Sequence, residues 1–236
     1  MHLVRAVEAS LRRLQTDRID VFFLHRFDEV TPLEDTLRTI ENLWAQGKIL
    51  YPAVSNFAAW QTAKALGIAD RLGFSRIACV EPMYNLAKRQ AEVEILPVCQ
   101  AEGLGAITYS PLGGGLLSGK YGRGHKPASG RIVDNPMYAT RYGAPSYVDI
   151  AERFAALARE LGHEPASLAI AWAGAHPAVT APIVGARNLA QLAVCLAAAE
   201  IPMDAELRAR ISALSAAPAP ATDRNEETSA HHYGNR

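Results

Sequence analysis

The sequence predicts an α/β protein of the (β/α)8, TIM-barrel type, and three observations carry that prediction. Apolar, strand-like runs begin near residues 19, 49, 77 and 105, a spacing of roughly 30 residues that suits one βα unit each. A segment of helical periodicity follows each run, which makes the strands parallel with right-handed crossovers. Every run also ends in polar residues, and a parallel barrel gathers its strand exits on one face, around one pocket. Nothing in the spacing marks the reversal of strand order that an open doubly wound sheet contains.

Taken in order, the chain opens in an amphipathic helix, with Val4, Val7, Leu11 and Leu14 at helical spacing and no capping residue in Met1-His2-Leu3. Ile19-Asp20-Val21-Phe22-Phe23-Leu24 reads as a strand buried on both faces that runs into His25-Arg26-Phe27-Asp28. Thr31-Pro32-Leu33-Glu34 has the signature of a helix start: Thr31 as cap, Pro32 in the first turn, Glu34 closing a capping box. Leu37, Ile40, Leu43 and Trp44 line one face of that helix, and Gly47 stops it. A strand over 49–54 ends in Ser55-Asn56, and a helix carries Trp60, Ala63 and Leu66. A third strand over 77–80 ends in Glu81-Pro82-Met83-Tyr84-Asn85, and a helix covers 92–101. The fourth strand, 106–109, runs into Ser110-Pro111-Leu112-Gly113-Gly114-Gly115.

The period then breaks. Residues 120–146 are rich in Gly and Pro and read as a long irregular loop, with Lys120, Arg123, Lys126, Arg131 and Arg141 against the single acid Asp134. A positive loop after a glycine-rich turn suits a phosphate-bearing ligand, because glycine leaves backbone N–H groups unobstructed. Helices resume at Tyr147, Ile150, Phe154, Leu157 and Leu161, and again from Pro165 through Leu168, Ala169 and Trp172. A fifth strand is expected over 180–185, then Arg187-Asn188, a helix through Leu192 and Leu196, and a short last helix with Leu207, Ile211 and Leu214. Residues 1–216 thus form the folded domain, and 217–236, where apolar periodicity vanishes, read as a disordered C-terminal tail.

Composition excludes several classes. Formal net charge is zero, so neither nucleic acid nor a membrane surface is an expected partner. Cys79, Cys99 and Cys195 are widely separated, show no metal spacing and are odd in number, which fits a reducing, cytoplasmic setting. The charged first helix is neither a signal peptide nor a membrane span. No G-x-G-x-x-G follows a strand and no P-loop motif is present, so a Rossmann or P-loop nucleotide site is not expected.

Together these residues resemble the aldo-keto reductases, the NADP(H)-dependent (β/α)8 oxidoreductases. The resemblance is carried by Leu24-His25-Arg26-Phe27-Asp28 with Thr31-Pro32-Leu33-Glu34, by Gly47-Lys48, and by Val54-Ser55-Asn56-Phe57. It continues in Tyr84-Asn85, in Tyr109-Ser110-Pro111-Leu112 with Gly115 to Tyr121, and in Pro182-Ile183-Val184-Gly185-Ala186-Arg187. It implies that His25 is the histidine of the catalytic tetrad, orienting a substrate carbonyl. It implies that Ser55, Asn56 and Glu81 contact the nicotinamide carboxamide, and that Tyr109 stacks on the nicotinamide ring. Ser110, Pro111, Leu112, Gly113, Gly114 and Lys120 match the loop over the pyrophosphate. Gly185, Arg187, Gln191 and Cys195 match the site for the adenosine 2′-phosphate and adenine. The implied cofactor is NADP(H), and the implied substrate a small carbonyl compound or alcohol.

Two departures weaken that pattern. Glu81 stands where the family usually has Gln, and Cys195 where it usually has Asn; each costs about 1 kcal/mol of cofactor binding, on the scale of one hydrogen bond. A third is larger, because no residues here match the tetrad's Asp, Tyr and Lys, which the family places on the three βα units before the strand of His25. The expectation is an N-terminally truncated barrel with about five of eight strands, ~85 residues short. Such a chain is expected to be inactive, and to self-associate through open barrel edges. The competing expectation is a non-catalytic NADP(H)-binding pseudoenzyme or regulatory subunit.

Overall fold

The structure is a computed structural model describing residues 2–122, 124–125, 127–222 and 224. Arg123 and Lys126 of the basic loop, and 223 and 225–236 of the expected tail, lie outside the described residues. Residues 216–220 have no regular secondary structure.

Five strands pair in chain order, β1 (Ile19–Leu24), β2 (Ile49–Ser55), β3 (Cys79–Glu81), β4 (Gly105–Thr108) and β5 (Ala181–Pro182). The β1–β2, β2–β3 and β3–β4 pairs are parallel, with Ile19 opposite Ile49, Ala53 opposite Cys79 and Cys79 opposite Gly105. Sequential order with a helix between neighbours is the winding of a (β/α) barrel and not of a doubly wound sheet. The chain divides into two compact units, Met1–Pro82 with Pro97–Ile107, and Met83–Leu96 with Thr108–Arg236.

In the first unit, α1 (His2–Leu14) and α2 (Leu33–Ala45) lay Val7, Leu11, Ile40 and Leu43 against Ile49, with Ile19, Phe22 and Leu24 of β1 packed onto the cluster. Each of these aliphatic side chains contributes about 1.5–3 kcal/mol when fully buried. Gly47, at φ 70°, turns the chain out of α2, and its N–H donates to the carbonyl of Trp44 at 2.8 Å. Helix α3 (Ala59–Leu72) follows β2, and α4 (Ile95–Ala101), with Pro97 in its first turn, leads into β4.

Strand β1 is not buried on both faces: Asp20 and Val21 are exposed and the rest of the strand is half-buried, because β2 is its one hydrogen-bonded neighbour among the described residues. Thr31 does not cap α2. Its hydroxyl donates to Asp28 Oδ2 at 2.6 Å instead, and Pro32 occupies the cap position without a side-chain bond. The stretch 120–146 is not structureless, since it holds α5 (Arg131–Asp134) and α6 (Pro136–Tyr142), the latter capped by Asn135, whose side chain accepts from the Met137 N–H. The fifth strand is two residues long instead of six, with Pro182, which has no N–H to give, at its end.

The core of the second unit is built on α7 (Pro145–Glu160) and α8 (Pro165–Gly174), which bury Ile150, Phe154, Leu168 and Trp172. The Trp172 ring stacks on Tyr84 at 5.1 Å, and its indole N–H donates to Ser212 of α10 (Ala205–Ser212) at 3.0 Å. Helix α9 (Leu189–Leu196) exposes Leu189, Leu192 and Leu196.

Candidate active site

In the first unit the ends of β1, β2 and β3 are tied by polar contacts. Ser55, buried at the end of β2, donates its hydroxyl to the carbonyl of Glu81 at 3.2 Å. The backbone N–H of Asn56 donates to the same carbonyl at 3.3 Å. The Asn56 amide then donates to the carbonyl of His25 at 3.0 Å and to Ser55 Oγ at 2.9 Å. Asn56 holds a left-handed backbone, φ 56°, which asparagine tolerates better than most residues. His25, Ser55, Asn56 and Glu81 are therefore brought together, with His25 and Asn56 exposed and Ser55 buried.

The loop after β1 is pinned by Asp28. Its carboxylate accepts from the Thr31 hydroxyl and from the backbone N–H groups of Val30 (2.9 Å) and Thr31 (3.3 Å), and these bonds hold its pKa below the usual aspartate value. Phe27 meets Phe57 edge-on, with ring centroids 5.3 Å apart, and Trp60 at 5.8 Å.

The second unit holds the glycine-rich turn. Gly113, Gly114 and Gly115 all have positive φ (56°, 68° and 98°), as does Ser110 (59°). At Gly114 a side chain is barred twice over, because a Cβ there would lie 2.6 Å from the Tyr138 ring. The turn is stapled from below by Asn85, fully buried, whose amide donates to the carbonyl of Ser110 at 3.0 Å and to the Tyr142 hydroxyl at 3.1 Å. Burial pushes the Tyr142 phenol up to about 12, against the opposing Asn85 hydrogen bond. Tyr109 is half-buried beside the turn, and its carbonyl accepts from the Tyr84 N–H at 3.2 Å.

Lysine 120 closes this arrangement. Its ammonium lies 3.5 Å from where a Gly115 Cβ would stand and 3.3 Å from where a Gly130 Cβ would, over the Tyr121 ring at 5.5 Å. Arg131 and Arg141 lie over the Tyr138 ring at 5.6 and 5.4 Å. Within the turn the Gly113 and Gly115 N–H groups donate to the carbonyls of Ser110 (2.9 Å) and Leu112 (3.0 Å), so its backbone is braced from inside while cationic side chains lie around it.

Gly185, Arg187 and Gln191 are exposed around the start of α9. The Gln191 side chain accepts from the Arg187 N–H at 3.0 Å, while Asn188 caps the helix by accepting from the Gln191 N–H at 2.9 Å. Cys195 is not with them at the surface; it is buried with Ile170 and Ala198, against Leu112 and Val184. Leu112, the apolar member of the turn, thus reaches the base of α9.

Asn85, Tyr138 and Tyr142 support the turn and had no assigned role in the sequence. Tyr84-Asn85 stood out as a dipeptide, but nothing in it announces a partner as far along the chain as Tyr142. Phe27, Phe57 and Trp60 are visible in the sequence only as separate motif and helix residues, and nothing there announces that they meet. Among the described residues no His, Cys, Asp and Glu cluster suited to a metal ion is present, and no helix is long and apolar enough to cross a membrane.

The model for the "Aldo/keto reductase family" matches residues 1–216. The "Uncharacterized oxidoreductase YrpG" of Bacillus subtilis is 36% identical over 203 residues, covering 86% of this chain and 60% of that protein. Human "Aldo-keto reductase family 7 member A3" is 36% identical over 209 residues, covering 82% of this chain and 63% of its own length. A protein of Arabidopsis thaliana named "Probable voltage-gated potassium channel subunit beta" is 36% identical over 196 residues, covering 81% of this chain and 59% of its own length. The chain spans about three fifths of the length of these curated relatives. With that match across nearly all of its folded residues, the chain belongs to the aldo/keto reductase family.

Proposed function

We propose that the protein is an NADP(H)-dependent oxidoreductase of the cytoplasm, whose site serves hydride transfer between the nicotinamide and an aldehyde, ketone or alcohol. The observation that carries this reading is the glycine turn 113–115, held in positive φ beside the Lys120 ammonium. When bound, the dinucleotide supplies or accepts the hydride. Ser110 to Gly114 and Lys120 hold the pyrophosphate, with Tyr109 beside the nicotinamide ring. Ser55, Asn56 and Glu81 hold the carboxamide. Gly185, Arg187 and Gln191 meet the adenosine 2′-phosphate and adenine, while Cys195, buried with Ile170 and Ala198, takes part only in packing α9. His25 orients the carbonyl oxygen, donating from its ring to that oxygen.

The chain supplies no tyrosine matched to a general acid, so proton delivery to the carbonyl is the missing step. We expect the 236-residue chain to bind NADPH and to turn over aldehydes at a negligible rate. The edge of β1 that has no partner strand among the described residues, with Asp20 and Val21 exposed, supports self-association of this chain.

The test is a fluorescence titration of the purified chain with NADPH and NADH, beside Lys120→Met. Saturable NADPH binding, tighter than NADH and weakened at least tenfold by K120M, is the expected result. Absence of binding overturns the reading, and steady NADPH oxidation with a generic aldehyde overturns the expected inactivity.

A second reading, a non-catalytic NADP(H)-binding regulatory subunit, is favoured by the potassium-channel subunit beta relatives at 36% identity. Binding without turnover, together with the encoding DNA showing no in-frame tyrosine and lysine motifs upstream of Met1, would decide for it.

A further inference from the structure

Helix α9 turns an uncharged face to water. Between Arg187 and Glu200 the chain has no charged residue, and Leu189, Leu192 and Leu196 are 83%, 37% and 61% exposed. Their spacing puts them on one side of the helix together with Ala193, while Cys195, on the other side, is buried against Ile170 of α8. Ala190, Ala193 and Ala197 are exposed around the leucines, and Gln191 is the one exposed polar side chain within α9. Helix α1, by contrast, exposes Arg5, Arg12 and Arg13. Leucines in file on a surface without charge have the make-up of an interface core. The charges stand at the two ends. Arg187 precedes the helix, and Glu200 closes the 3-10 turn Ala197–Glu200 that continues it, one turn beyond Leu196. Both are exposed, and neither side chain has an ion-pair partner among the described residues.

We propose that a second copy of the chain covers this face, the two α9 helices packing antiparallel about a two-fold axis near Leu192 and Ala193. In that arrangement Leu189 lies on the second copy's Leu196, the two Leu192 side chains meet at the axis, and Ala193 lets the backbones come close. The same crossing point brings Arg187 of each copy to Glu200 of the other, so that opposite charges meet at both ends of the contact. A parallel pairing sets like charge against like, and only the antiparallel one also opposes the helix dipoles. Because the pairing uses the same face twice, it closes at two copies. One helix stripe is smaller than the roughly 800 Å² per partner of a standard interface, so the dimer is reversible and micromolar in strength. It does not depend on the cofactor reading, and it uses residues of the second unit, whereas the β1 edge belongs to the first.

Sedimentation velocity of the full chain, from micromolar to submillimolar concentration, tests this. It is run without cofactor, so that no 2′-phosphate competes with Glu200 for Arg187. The variants are Leu196→Glu, Glu200→Arg and the charge swap Arg187→Glu with Glu200→Arg, all at exposed positions, and Val21→Lys to block the β1 edge. A reversible dimer is expected for the parent chain and for V21K. It should be weakened at least tenfold by L196E and at least threefold by E200R, and the charge swap should restore it to within twofold of the parent. Restoration by a second charge reversal separates a broken contact from a broken fold. A parent chain that stays monomeric overturns the proposal, as does a dimer that L196E leaves intact, that V21K abolishes or that the charge swap fails to restore. Assembly of V21K beyond two copies overturns it as well, because a self-complementary face closes at two.

Discussion

The side-chain amide of Asn56 donates to the main-chain carbonyl of His25 at 3.0 Å, across the ends of two neighbouring parallel strands. The orientation of the loop after β1 is thereby referenced to β2. Asn56 also carries a left-handed backbone.

Asn56→Ala is expected to lower stability by about 2 kcal/mol, from roughly 1 for the lost hydrogen bond and roughly 1 for alanine in a left-handed conformation. Asn56→Gly removes the backbone part, so its loss is about half as large. Urea denaturation of the three proteins checks the difference.

Gly114→Ala collides with the Tyr138 ring and also strains a φ of 68°. Adding Tyr138→Ala relieves the collision alone. A double-mutant cycle is expected to show a favourable coupling of about 1 kcal/mol, with the residual cost of G114A left by the backbone. Additive losses would mean that the ring gives way freely.

Glu92 is the hub of a network in the second unit. Its carboxylate takes a bidentate grip from Arg89 (3.1 and 2.8 Å) and accepts from the Tyr84 hydroxyl at 2.5 Å, while Arg208 of α10 donates to that hydroxyl at 3.1 Å. Burial acts to raise the Glu92 pKa, but the Arg89 and Tyr84 hydrogen bonds outweigh it and hold the carboxyl below its ordinary 4.5. A carboxyl depressed on folding contributes stability that is present above the unfolded value and lost as pH falls through the folded one. Glu92→Gln is therefore expected to cost about 3 kcal/mol at neutral pH, because Arg89 is left half-paired in a buried place. That deficit should shrink below pH 4.5, the ordinary value. Thermal melts of both proteins across the acid range show whether the two curves converge.

All three thiols are buried. Burial raises each of them, Cys99 to about 11, with a smaller push from neighbouring Cys79. Since the thiolate is the reactive form, a disulfide reagent such as DTNB should label none of them quickly at neutral pH and all of them in denaturant. Rapid labelling of the native chain would show that a thiol opens to solvent.

Much of the fold was legible because strand-forming runs recur with helical segments between them, and β1 to β4 fall within two residues of where those runs begin and end. What periodicity cannot report is how many neighbours a strand has, which is why β1 read as buried. Local competition was also hidden: Thr31 had the right identity for a cap, but Asp28 lay nearer to its hydroxyl. Pro182 was the available signal for a short fifth strand. Asn135-Pro136 likewise announced a helix start inside a stretch whose Gly and Pro content argued for loop. For the site, the glycine turn and the strand exits were visible as residue types. The contacts that hold them, Asn85 to Tyr142 and Phe27 to Trp60, join segments far apart in the chain and leave no pattern in the sequence.

The staple under the glycine turn also bears on how the protein ages. Asparagine deamidates when the following backbone nitrogen attacks its side-chain carbonyl, which requires the side chain to swing round. Asn85 cannot swing: its nitrogen holds Ser110 and Tyr142, and its oxygen accepts from the N–H groups of Ala87 and Lys88. Among the described residues, the side chain of Asn188, exposed at the head of α9, makes a single capping bond, to Gln191. Of these two asparagines, the one beside Arg187 should therefore be damaged first over long storage and the one under Ser110 spared, so that aged molecules keep the staple of their glycine turn intact.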